Sequence, residues 1–107
     1  MQLLSLNQLR CSFFSERIGT RFRVFADQIP VPDLTLVEAT QSRQSSRGAD
    51  QPDSFSLVFT GTASRQLGQQ IYRFEHEDFG AFELFIVPIG SNGVVVRYEA
   101  VINRCHR

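Results

Sequence analysis

Glu75, Glu83 and Glu99 each occupy an outward position in a strand-like segment, two residues from Arg73, Phe85 and Arg97 respectively. Lined up in one row, three carboxylates could hold a hard cation such as Ca²⁺ through oxygen ligands. They could also raise one another's proton affinity for acid–base chemistry. The competing reading is a solvated ladder of ion pairs with Arg73 and Arg97, each worth about 0–1 kcal/mol. A metal centre needs more convergent ligands than one row supplies, so the ladder is the stronger expectation. Arg73, Phe85 and Arg97 form a second set, an aromatic ring between two guanidinium groups. Single-strand nucleic-acid binders use that combination, but the neighbouring carboxylates would repel phosphate. With Ile71, Val87 and Val95 alongside, the set reads better as a protein contact with an apolar centre, an exposed aromatic and flanking arginines. His76 has no serine, cysteine or acid in triad relation to it and reads as a hydrogen-bonded structural residue. Cys105 and His106 are adjacent, with Cys11 the only other cysteine, which is not the four-ligand spacing of a zinc site. No phosphate-binding loop, dinucleotide fingerprint or HExxH is present. No cofactor and no enzymatic reaction are expected.

Composition narrows the class further. With 107 residues there is room for one domain, spanning 1–107, with a single core. Eleven basic and eleven acidic side chains cancel, so bulk charge steers the chain toward neither nucleic acid nor an anionic membrane. All eleven basic residues are arginine, which removes lysine Schiff-base chemistry and reads as a genomic codon preference. Ten phenylalanines favour sheet. No stretch approaches the length of a membrane span, and the start, MQLLSLNQLRCSFF, lacks the basic region of a signal peptide. The expectation is a cytoplasmic protein, or one exported without a cleaved signal. Whether Cys11 and Cys105 bridge is not decided by their spacing.

These residues are carried by elements that the pattern predicts. Ser5 and Gln8 have capping-box form, and Leu6, Leu9 and Phe13 follow at helical spacing. A short helix near residues 5–10, extending toward Arg17, is expected to cover one end of the sheet structure. From Thr20 the period becomes two: Phe22, Val24 and Ala26 face one way, Arg21, Arg23 and Phe25 the other. Pro30 and Pro32 argue for a turn over 29–33. Strands are expected over 34–40, 54–61, 71–77, 81–88 and 94–104, with a flexible polar loop at 40–54. Six short strands make an all-β fold, a small antiparallel barrel or sandwich.

The last three strands allow a register to be proposed. Taking Asp78-Phe79-Gly80 as a hairpin loop pairs Glu77 with Ala81, Phe74 with Leu84 and Tyr72 with Ile86. Taking Ile89–Gly93 as the next loop pairs Pro88 with Val94 and Leu84 with Tyr98. The inner face is then apolar, and the outer face carries three rows: Ile71/Val87/Val95, Arg73/Phe85/Arg97 and Glu75/Glu83/Glu99.

The runs Ile18-Gly19-Thr20-Arg21-Phe22-Arg23-Val24, Leu34-Thr35-Leu36-Val37-Glu38, Phe55-Ser56-Leu57-Val58-Phe59, Tyr72-Arg73-Phe74-Glu75-His76 and Tyr98-Glu99-Ala100-Val101-Ile102-Asn103-Arg104 resemble a family of short bacterial domains of unknown function. The resemblance spans nearly the whole chain and implies no catalytic residues. It implies a neighbourhood of phage-tail-like assemblies. The expected function is a non-enzymatic interaction or assembly module, with a protein partner or self-association. A ligand-binding barrel with a phenylalanine-lined interior is the alternative, although a barrel of this size is usually filled by its own side chains.

Overall fold

In the computed structural model, residues 3–5, 8–41, 54–78 and 80–103 are described. The elements in chain order are β1 (Leu3–Leu4), α1 (Cys11–Ser15), β2 (Arg21–Ala26), β3 (Ile29–Gln41), β4 (Ser54–Thr62), a 3-10 turn (Ala63–Arg65), β5 (Gln70–His76), β6 (Gly80–Ser91) and β7 (Val95–Asn103). Strands β2, β3, β4, β7, β6 and β5 pair antiparallel in that spatial order, and β5 pairs back onto β2. Closure settles the choice between barrel and sandwich: the fold is a six-stranded antiparallel barrel. β1 is an addition that hydrophobic alternation does not mark, because it is two residues long. It lies parallel to β6, with Leu3 beside Ala81 and Leu4 beside Phe82.

The alternating pattern runs along the barrel strands, broken where Val58 and Ala81 are buried as well as their neighbours Leu57, Phe59 and Phe82. Phe22, Val24, Leu34, Leu36, Phe55, Leu57, Phe59, Tyr72, Phe74, Phe82, Leu84, Ile86, Val96, Tyr98, Ala100 and Ile102 all point into the barrel and are buried. The rings pack edge-on and offset, as their quadrupoles favour. Phe22 meets Phe59 at a centroid distance of 5.6 Å, and Phe59 meets Phe74 at 5.0 Å. Two tyrosine hydroxyls at the barrel wall hold the 63–69 connection. Tyr98 accepts the Leu67 N–H at 2.9 Å, and Tyr72 donates to the Gly68 carbonyl at 2.8 Å. Burial pushes the Tyr72 phenol above its ordinary range, with neighbouring Tyr98 adding to the shift.

The helix stands five residues later than its capping signal suggests. At Ser5 the backbone N–H does bond the Gln8 carboxamide at 2.8 Å, and the Gln8 N–H bonds the Ser5 carbonyl at 2.9 Å, so a turn forms there. The α-helix itself begins at Cys11 after an extended Arg10. Its single fully buried side chain, Phe14, closes the barrel end against Phe22, Phe55 and Phe82. The cover expected for an open end is therefore present, one helical turn in size. Cys11 carries a free thiol, pushed above its ordinary range by burial. Cys105 and His106 lie outside the described residues, as does the 42–53 part of the expected loop; Thr40, Gln41 and Ser54 belong to strands.

The predicted turn at 29–33 is a strand. The reversal comes earlier, at Asp27 and Gln28, both with left-handed φ (58° and 72°), which is the two-residue hairpin geometry matched to strand twist. Pro30 and Pro32 are tolerated because β3 pairs β4 only from Thr35 onward. Its first residues have β2 on one side and an open edge on the other, where a missing N–H breaks no ladder.

At Gly61 an added Cβ would stand 2.6 Å from Leu34 Cδ2 and 3.5 Å from the Tyr98 ring. Leu34 and Tyr98 are both buried, so either must repack within the core to make room. Gly61→Ala is expected to destabilise the fold by about 1–3 kcal/mol through overpacking. A urea midpoint equal to that of the parent protein would show that Leu34 can move aside.

Candidate functional site

The outer faces of β5, β6 and β7 carry the predicted residues, but in a different register. β5–β6 pairing runs His76 with Gly80, Phe74 with Phe82, Arg73 with Glu83, Tyr72 with Leu84 and Ile71 with Phe85. This is a slip of two residues from the expected pairing. It leaves every side chain on its predicted face, because a strand's period is two. Gly80 does adopt the left-handed φ (91°), yet it is the first paired residue of β6 rather than the end of the loop. The His76 ring closes this turn from inside, its Nδ1 accepting the Asp78 N–H at 3.1 Å.

Between β6 and β7 the departure is larger. Val87 pairs with Glu99 and Pro88 with Tyr98, then a bulge at Ile89 shifts the ladder to Gly90–Arg97 and Ser91–Val96. The turn lies beyond, where Asn92 Oδ1 accepts the N–H groups of Val94 and Val95, each at 2.9 Å. Proline 88 cannot donate to the ladder, and the bulge follows directly after it.

All three predicted rows therefore dissolve. Glu83 faces Arg73, Glu75 faces Ala81, and Glu99 faces Val87 on one side and Val58 on the other. Like charges directly opposite are unfavourable in a sheet, and the observed register places opposite charges there. The expected cation site at Glu75, Glu83 and Glu99 is not assembled, and among the described residues no three His, Cys, Asp or Glu side chains converge to hold a metal. Glu75 is instead the centre of an ion-pair cluster, 3.4 Å from Arg23 Nη2 and 3.4 Å from Arg73 Nε. The second contact is ionic only, since Arg73 Nε has no hydrogen-bond partner.

Arg97 is likewise separated from Arg73 and Phe85, which are diagonal neighbours across β5 and β6. Arg97 pairs in register with Gly90 and Thr60, and its Nη2 lies 3.3 Å from Glu38 Oε2. Val95 pairs with Thr62, away from Ile71 and Val87. What the structure does bring together is Ile71 and Phe85, directly opposite and 59% and 50% exposed, with Val87 on the same face two residues on. Beside them Arg73 lies with its guanidinium 4.8 Å from the centroid of Phe25 on β2. Phe25 was missed as a partner, although the alternation in Arg21–Ala26 already places it outward; which strand lies next to it could not be read.

His76 is buried and bonded at both ring nitrogens. The Thr20 hydroxyl donates to the Arg17 carbonyl at 2.7 Å, so it accepts from His76 Nε2–H at 3.1 Å. Arg17 Nε closes the circuit on Asp78 Oδ2 at 3.1 Å. This polar ring ties the segment after α1 to the β5–β6 hairpin, in agreement with a structural histidine.

A family model described as a domain of unknown function (DUF6916) matches residues 9–102, and the chain belongs to that family. No curated protein and no solved structure matches it. No helix among the described residues is long and apolar enough to cross a membrane.

Proposed function

We propose that the chain is a non-enzymatic interaction or assembly module, an accessory part of a larger assembly of bacterial phage-tail-like or surface type, working in the cytoplasm or after export without a cleaved signal. The observation that supports this reading is the Ile71–Phe85 pair, two large apolar side chains side by side on the outer sheet face. Arg73 and Glu83 form the next cross-strand pair, so an apolar centre is bordered by both charge signs. That is the make-up of a contact whose core is dry and whose rim is polar. The partner is a protein surface that buries Phe85, either a neighbouring component or a second copy of the chain.

Phe85→Ala is expected to weaken the contact by about thirtyfold or more, as truncating a central aromatic anchor does. The parent chain and the variant would be compared by sedimentation at high concentration and as tagged baits in the source organism. Phe85 is half-exposed, so the thermal unfolding midpoint should stay nearly unchanged. A parent chain that is monomeric and recovers no partner would sink the reading, as would a partner bound equally by both forms.

A further inference from the structure

A different part of the barrel surface offers a built recess. The registers of four strands carry Arg21 beside Thr35, Thr35 beside Thr60, and Thr60 beside Arg97 in one outward row. Around this row lies a solvent-open cleft of about 500 Å³, lined by Arg21, Asp33, Thr35, Thr60, Val94 and Val95 among others. That volume falls within the range of small-molecule sites. Arg97, at one end, is held by Glu38, and Arg23 on the next outward position of β2 is held by Glu75. The Arg21 side chain has no hydrogen bond or ion pair among the described residues, nor has that of Asp33. Among the described residues, neither Thr35 nor Thr60 gives its half-buried hydroxyl to another group. Arg21 and Asp33 sit on adjacent strands, Asp33 two residues before the register partner of Arg21, about 7–8 Å away by backbone spacing. They could have neutralised each other and do not.

We infer that this cleft binds a small zwitterionic ligand, of amino-acid to dipeptide size. Its carboxylate is received by the Arg21 guanidinium and the Thr35 and Thr60 hydroxyls. Its ammonium group is received by Asp33, and an apolar side chain lies on Val94 and Val95. A simple anion would leave Asp33 repelling it, and a simple cation would meet Arg21; a molecule with both charges satisfies both. Charge-assisted bonds to guanidinium and carboxylate are the strong ones in such a site. The inference is independent of the contact face at Phe85.

The test is an NMR titration of the ¹⁵N-labelled chain with glycyl-leucine, glycyl-leucinamide and N-acetyl-glycyl-leucine. Glycyl-leucine is expected to shift the Thr35 and Thr60 amides saturably, and each blocked analogue to bind about tenfold more weakly or worse. Arg21→Gln should abolish the preference for glycyl-leucine over its amide. Asp33→Asn should abolish the preference over the acetylated form, and Phe85→Ala should change neither. Both substituted residues are exposed, and unchanged spectra away from the cleft would show that the variants remain folded. The absence of saturable shifts up to about 20 mM would overturn the inference. So would equal binding of the three probes, or preferences that survive both substitutions.

Discussion

Phe14→Ala is expected to remove about 3–5 kcal/mol of folding stability, as truncation of a fully buried phenylalanine does. The side chain is 0% exposed and belongs to a helix of five residues. A helix that short has no stability of its own in water and exists because its apolar side chain is packed. The Phe14 ring lies 6.2 Å from Phe22, 6.0 Å from Phe55 and 5.7 Å from Phe82, on β2, β4 and β6. One side chain thus joins three strands of the barrel at its covered end. Its loss leaves a void that these strands cannot close without breaking ladder pairs. A domain of this size has about 5–15 kcal/mol in all, so the variant should unfold at a much lower urea concentration. A cost below about 1 kcal/mol would mean that the helix does not close the barrel end.

His76→Ala has the second largest expected effect, about 2–4 kcal/mol, from two sources. The Asp78 N–H in the exposed turn loses its acceptor, and an ordinary hydrogen bond contributes about 0.5–1.5 kcal/mol. The ring also packs against Phe22 at a centroid distance of 4.5 Å, so its removal adds a cavity. The polar part is separable by a double-mutant cycle with Thr20→Ala. Residues of one hydrogen-bond network couple by about 0.5–3 kcal/mol, so the double variant should be less destabilised than the two singles summed. Additivity within about 0.3 kcal/mol would mean that the Thr20–His76 bond contributes nothing. Faster hydrogen exchange at the Asp78 amide in His76→Ala would locate the effect at the hairpin turn.

Both effects arise at residues whose partners are not local in the chain. The sequence assigns His76 a structural role, and its buried position follows from alternation with Tyr72 and Phe74. Its partner Thr20 lies 56 positions away and leaves no local trace. Phe14 was not singled out: the helical spacing through Leu6, Leu9 and Phe13 passes it by, and the helix axis is set by which residue the barrel end admits.

The candidate surfaces divide in the same way. Alternation was enough to sort inward from outward residues, so Ile71, Arg73, Glu83, Phe85 and Arg97 were all placed on the outer side correctly. Burial of one face is a strong local constraint, and it repeats every two residues. It was also enough to name six strands and an all-β fold. Alternation is blind to an even slip, however, because moving a strand by two residues returns every side chain to the same face. The register was decided by turn closure at His76 and Asn92 and by the bulge after Pro88. These convert an expected carboxylate row into Arg73–Glu83 and bring Ile71 beside Phe85. Barrel closure then placed Phe25 beside Arg73 and aligned Arg21, Thr35, Thr60 and Arg97. Such juxtapositions join strands that are distant in the chain, and only the closed sheet brings them together.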